Sequence, residues 1–229
     1  MKFGTAGITL ALASVLMGGV SANAQNLIIN PGFEAGGVGV GTAIPGWTKT
    51  GNVNPEAYAT YVGFGVPGSK LPTAAYGNNF VAFNDGNNTT VDGVLSQTLT
   101  GLTVGTVYNV GFSFGNFNAA NNNAADTQSI TAAVTSVGIT LASLPVTDFE
   151  ATTQTDFTAI NKPRSFFFTA TGATATLSFT DTTPLSQVVQ ADGVLDNVSV
   201  TAVPEAGALS LLAAGIAAGA GLLLRRRAA

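Results

Sequence analysis

Between Gln25 and Ala202 the clearest pattern is a two-residue alternation of apolar and polar positions, with little helical periodicity. In ATATLSFTD, Ala173, Ala175, Leu177 and Phe179 fall on one side and Thr174, Thr176, Ser178 and Thr180 on the other, as in a half-buried strand. The run Ser165 to Thr169 carries Phe166, Phe167 and Phe168, and Thr171-Gly172 after it reads as a hairpin turn. Further strands are predicted at NLIIN, NNFVAFN, GVLSQTLTGL, TVYNVGFSFGNF, SITAAVTSVGITLASL and GVLDNVSVTA. About eight to ten strands with Gly- or Asn-rich turns predict an all-β sandwich.

Two stretches interrupt the rhythm. Gly36 to Gly68 is broken by Pro45, Pro55 and Pro67, and Asn116 to Asp126 contains FNAANNNAAD. Both read as surface loops. No repeat of solenoid period is visible.

The ends have a different character. MKFGTAGITLALASVLMGGVSANA places Lys2 before an apolar stretch from Ile8 to Val20, with Ala22 and Ala24 in an A-x-A exit. This reads as a secretory signal peptide over residues 1–24, cleaved after Ala24, so the chain is expected to be exported. At the other end, Ala206 to Leu224 is an uncharged run followed by Arg225, Arg226 and Arg227. At 1.5 Å rise per residue its length of about 28 Å matches a hydrocarbon core of about 30 Å. The arginines would stay cytoplasmic, leaving the preceding domain on the far side of that membrane.

With Lys2 and the three terminal arginines set aside, the basic residues are Lys49, Lys70, Lys162 and Arg164, against twelve acidic ones in the chain. Nucleic acid is therefore excluded as an expected partner, because phosphate backbones are held by clustered Lys and Arg. Cysteine is absent, so the exported domain has no disulfide and must rely on its core. A domain of this size buries about 70% of its surface, which is enough.

Histidine is absent too, which removes the commonest general base, the commonest metal ligand and the Ser-His and Cys-His nucleophile pairs. A hydrolase would have to work with two carboxylates, as glycosidases do, and the scattered acids single out no such pair. Two acids stand out by position. Alternation in GVLDNVSVTA puts Asp196 on the side of Val194, Val198 and Val200, where a buried carboxylate needs a partner. Glu34, ending NLIINPGFE, could converge with it if the terminal strands are neighbours. The partner is then either a hard cation, Ca²⁺ by preference, or backbone N–H groups near a strand end, and spacing alone favours the second.

NLIINPGFEAG, PGWTKTGNV, VAFNDG, GVLSQTLTGLTVGTVYNVGFSFG and DGVLDNVSVTA together resemble the galactose-binding-like and carbohydrate-binding-module jelly-roll families. The resemblance covers Asn26 to Ala202. It implies a jelly-roll β-sandwich with a structural calcium between the first and last strands, a role that would fall on Glu34 and Asp196. Sugar binding in such modules uses exposed aromatic platforms. Tyr108 alternates with Val110, Phe112 and Phe114 and is expected in the core, as is Trp47 after Pro45-Gly46. Tyr58 and Tyr61 in the proline-broken loop remain as the candidate platform.

The tail, with Val203-Pro204-Glu205 before the apolar run and arginine cluster, resembles the bacterial exosortase sorting signal known as PEP-CTERM, with Ala206 in place of the usual second proline. That resemblance implies a transient inner-membrane intermediate, recognition at Pro204 and Glu205 by an exosortase-type enzyme, and release to the cell surface or extracellular matrix. A plain membrane anchor is the alternative. The expected organisation is residues 1–24 as signal helix, 25–202 as the jelly-roll domain and 203–229 as the sorting segment, with a transmembrane helix over 206–224. The expected function is that of a non-catalytic structural or adhesive surface protein. The alternatives are a carbohydrate-binding module for exopolysaccharide and, further off, a carboxylate-based glycoside hydrolase.

Overall fold

A computed structural model describes residues 25–58, 77–83, 93–118, 126–150, 162–183 and 191–204. They form ten strands: β1 (Thr48–Thr50), β2 (Val53–Ala57), β3 (Asn79–Phe83), β4 (Val94–Thr100), β5 (Val107–Asn118), β6 (Asp126–Ser136), β7 (Ile139–Glu150), β8 (Pro163–Thr169), β9 (Thr174–Asp181) and β10 (Ala191–Ala202). One sheet runs β1-β4-β9-β6-β7 and the other β2-β3-β10-β5-β8, each five-stranded, with every pairing antiparallel. The eight strands from β3 onward have the two interleaved orders 3-10-5-8 and 4-9-6-7, the double Greek key of a jelly roll. β1 and β2 add one edge strand to each sheet.

The alternation read from the sequence decides which residues meet between the sheets. Leu95, Leu99, Ala175, Leu177 and Phe179 face Val81, Phe83, Phe112, Phe114 and Leu195 in one apolar cluster. Phe179, Phe114, Leu177 and Leu195 are fully buried, each contributing roughly 1.5–3 kcal/mol by leaving water. Trp47 and Tyr108 are buried as expected. The Trp47 ring lies 5.5 Å from Phe33 and 6.3 Å from Phe179, and Tyr108 stacks on Phe168 at 5.4 Å.

Four local readings change. Gly36 to Gly68 contains β1 and β2, because Lys49, Val53 and Asn54 find partners that the prolines concealed. The run Ser129 to Leu144 is a hairpin: β6 and β7 are joined at Val137 and Gly138, with φ of 50° and 77°, and Val137 is fully in solvent. Thr171-Gly172 is not a hairpin turn, since β8 pairs with β5 while β9 pairs with β4 and β6 in the opposite sheet. Leu27 to Asn30 form no regular strand, yet this segment lies along β10, with Leu27 N–H donating to Val200 O at 2.9 Å and Val198 N–H to Pro31 O at 2.8 Å.

Gln97 fixes that segment from the other sheet. Its side chain accepts from Ile29 N–H at 2.8 Å and donates to Ile29 O at 2.9 Å and Gly46 O at 2.8 Å. Gln97 of the segment GVLSQTLTGL thus ties the two sheets together beside the opening segment with a single amide. No helix of the described residues is long and apolar enough to cross a membrane. The leader, the span 206–224 and the arginine cluster lie outside the described residues.

Candidate functional site

Near the centre of β10 the pairing with β5 shifts register between Asp196 and Ser199, and Asn197 takes φ of 52°. This bulge reverses the side-chain parity. Val194 and Asp196 share the outer face of the sheet, whereas Val198 and Val200 return to the core cluster. The expected grouping of Asp196 with Val198 and Val200 is corrected accordingly.

Asp196 is nevertheless completely buried, with Tyr58 packed over it on the outer face. Its Oδ2 accepts from the Tyr58 hydroxyl at 2.9 Å and its Oδ1 from Asn197 N–H at 2.6 Å. The Tyr58 ring packs on Phe80 with centroids 4.6 Å apart and is only 7% exposed. Tyr58 therefore cannot serve as a stacking platform for sugar, and that expectation is corrected: just after β2, its ring lies against Phe80 on the sheet and its hydroxyl is committed to Asp196. Tyr61, the other half of the expected platform, lies outside the described residues.

Glu34 comes from the segment that precedes β1. Phe33, held at φ of 58° by burial of its ring, turns the chain so that Glu34 Oε1 accepts from Asn78 N–H at 2.6 Å and Asn79 N–H at 2.9 Å. Gly77 makes room for it, since a Cβ there would collide with the Glu34 carboxylate. Burial pushes the Asp196 carboxyl up to about 7; the Asn197 and Tyr58 hydrogen bonds pull it down, and the Glu34 charge raises it further. Among the described residues no ion pair reaches either carboxylate. The donors suit a hard cation in kind, being carboxylate oxygens, although no group of three or more acidic side chains gathers among the described residues.

A second polar cluster, unanticipated in the sequence, joins the sheets near the far end of β7. Lys162 Nζ sits 2.8 Å from both oxygens of the buried Asp148, Asn116 N–H donates to Oδ2 at 2.8 Å, and Arg164 stands 3.8 Å away. Asp181, also buried, accepts from Thr183 N–H at 2.8 Å. These carboxylates hold backbone and cation in place.

The sorting residues begin where the fold stops. Val203 N–H donates to Val107 O at 2.9 Å, and Pro204 is exposed. Glu205, Arg225, Arg226, Arg227 and the cleavage residue Ala24 lie outside the described residues.

No family model matches the sequence, and no curated protein matches it. Solved structures do. The module TmCBM61 in complex with β-1,4-galactotriose is 17% identical, with 78% of this chain and 99% of that chain covered and a TM-score of 0.45. The cleaved adhesin domain of Lys-gingipain from Porphyromonas gingivalis is 16% identical over 76% of this chain and 96% of that one, at 0.45. The CBM22-1 xylan-binding domain from Paenibacillus barcinonensis is 17% identical over 76% and 93%, at 0.37.

Proposed function

We propose that this chain is an exported, non-catalytic carbohydrate-binding module of the cell surface or extracellular matrix. The observation that carries the reading is Phe167. It stands 59% exposed in the middle of β8, on the outer face of the sheet, between the buried rings of Phe166 and Phe168. A large ring held rigidly in solvent by a strand is a surface for the apolar face of a pyranose, and it supplies what Tyr58 does not. Asp196, Glu34, Asp148 and Asp181 are each committed to structural hydrogen bonds, which supports binding over carboxylate catalysis.

Two further parts belong to the proposal. Glu34 and Asp196, with neighbouring backbone carbonyls, would hold one Ca²⁺ that neutralises their mutual repulsion and clasps the entering chain to β10. The tail would be recognised at Pro204 and Glu205 by an exosortase-type enzyme after transient insertion of 206–224 in the inner membrane; Pro204, just past the end of β10 at Ala202, is exposed. A glycan array probed with the full chain tests the binding. Recognition of an exopolysaccharide component is expected, and an array with no positive spot overturns it. Mass spectrometry of the mature C-terminus tests the sorting, with an end near Val203 to Glu205 expected and an intact Ala229 overturning it.

A further inference from the structure

Beside Phe167 lies a pocket of about 430 Å³, lined by Val107, Thr140, Leu141, Phe167, Phe168, Thr169 and Thr171. That volume falls within the range of about 300–1,000 Å³ typical of small-molecule sites. It opens where the edge strand of one sheet, β7, faces the edge strand of the other, β8, so both sheets contribute walls.

The lining has a definite chemistry. Phe167 and Val107 are 59% and 39% exposed, Leu141 is half-buried, and Phe168 is held from behind by its stack on Tyr108. Thr140, Thr169 and Thr171 place exposed hydroxyls around these apolar walls, and among the described residues none of the lining carries a charge. Directly across the strand pair from Phe167, Asn109 has its side-chain carbonyl buried without a protein partner.

We infer that this pocket is a subsite for one neutral sugar residue of a polysaccharide, stacked on Phe167 and bonded by the threonine hydroxyls. The inference rests on the carbohydrate-binding reading and adds to it a place and a ligand class. Neutrality follows from charge: the described lining offers no cation to a uronate or sulfate, and the chain has twelve acidic residues against eight basic, four of which lie in the terminal segments. A peptide docking as an added strand is disfavoured, because both bordering strands carry proline, Pro145 within β7 and Pro163 opening β8.

Affinity electrophoresis of the full chain through gels containing a galactan, a xylan, a β-glucan, a mannan or polygalacturonate tests it. Retardation by at least one neutral polysaccharide and none by polygalacturonate is expected. Phe167→Ala should weaken binding about tenfold or more, Phe167→Trp should retain it, and Phe149→Ala, which removes another exposed ring, should leave it unchanged. Undiminished binding by Phe167→Ala overturns this subsite while the carbohydrate reading stands. Retardation by polygalacturonate that depends on Phe167 overturns the neutral class. No retardation of the wild type by any polymer overturns the reading together with the subsite.

Discussion

Burial acts on Asp196 more strongly than any neighbour, and the sign of its effect on stability follows. Its carboxyl is held up to about 7 in the fold against an ordinary value of 3.8, so the folded state binds this proton more tightly than the unfolded chain does. The group's contribution is therefore most favourable below pH 3.8, declines as pH rises towards 7, and is flat above that. The loss is on the order of a few kcal/mol. Denaturant melts in chelator should show lower stability at pH 8 than at pH 5, with Asp196→Asn flattening that slope. Added Ca²⁺ should restore the wild type at pH 8 and leave Asp196→Asn unmoved; identical wild-type melts with and without Ca²⁺ remove the cation from the account. Gln97 is the second residue on which much depends. Gln97→Leu strands the N–H and C=O of Ile29 and the C=O of Gly46, and should cost about 2–4 kcal/mol in the same melts.

Among the elements, β9, β5, β4 and β3 were legible almost to the residue, because a strand buried on one face writes its period of two into the sequence. What lay hidden was whatever breaks that period or needs a distant partner. The bulge after Asp196 changes which valines share its face, and nothing in GVLDNVSVTA marks Asn197 as the extra residue. Val137 occupies a left-handed turn position that Asn or Gly usually fills, so Gly138 alone signalled the hairpin inside Ser129 to Leu144. The partnership of Tyr58 with Asp196 spans 138 positions and could not be read locally. The edges obey a rule of their own. β1 has three residues, and β2, β7 and β8 each carry a proline, Pro55, Pro145 and Pro163, so no sheet edge offers an uninterrupted row of donors. Pro145→Val should create such a row in β7, visible in light scattering as concentration-dependent association of a protein whose thermal stability is little altered.

At the scale of the molecule, the first and last segments of the sandwich are fastened to each other. Asn26 donates through Nδ2 to Val198 O at 3.2 Å and accepts from Val200 N–H at 2.9 Å, contacts that span 172 and 174 positions. β10, which receives them, is also the middle strand of its sheet, bonded to β3 on one side and β5 on the other. The sandwich cannot close until its last strand exists, and closure across so many residues makes folding slow. Beyond Ala202, Val203 N–H is bonded to Val107 O, and Pro204 is in solvent. The fold and the tail should therefore separate cleanly. A chain of residues 25–203 should melt cooperatively within a few degrees of the same chain carrying its tail, whereas residues 25–190 should show no cooperative transition by circular dichroism. Asn26→Ala in the longer piece should cost about 1–3 kcal/mol, since it leaves buried backbone groups of β10 unpaired. If residues 25–203 fail to fold while the full chain does, the tail contributes to the sandwich itself and is no mere address attached to it.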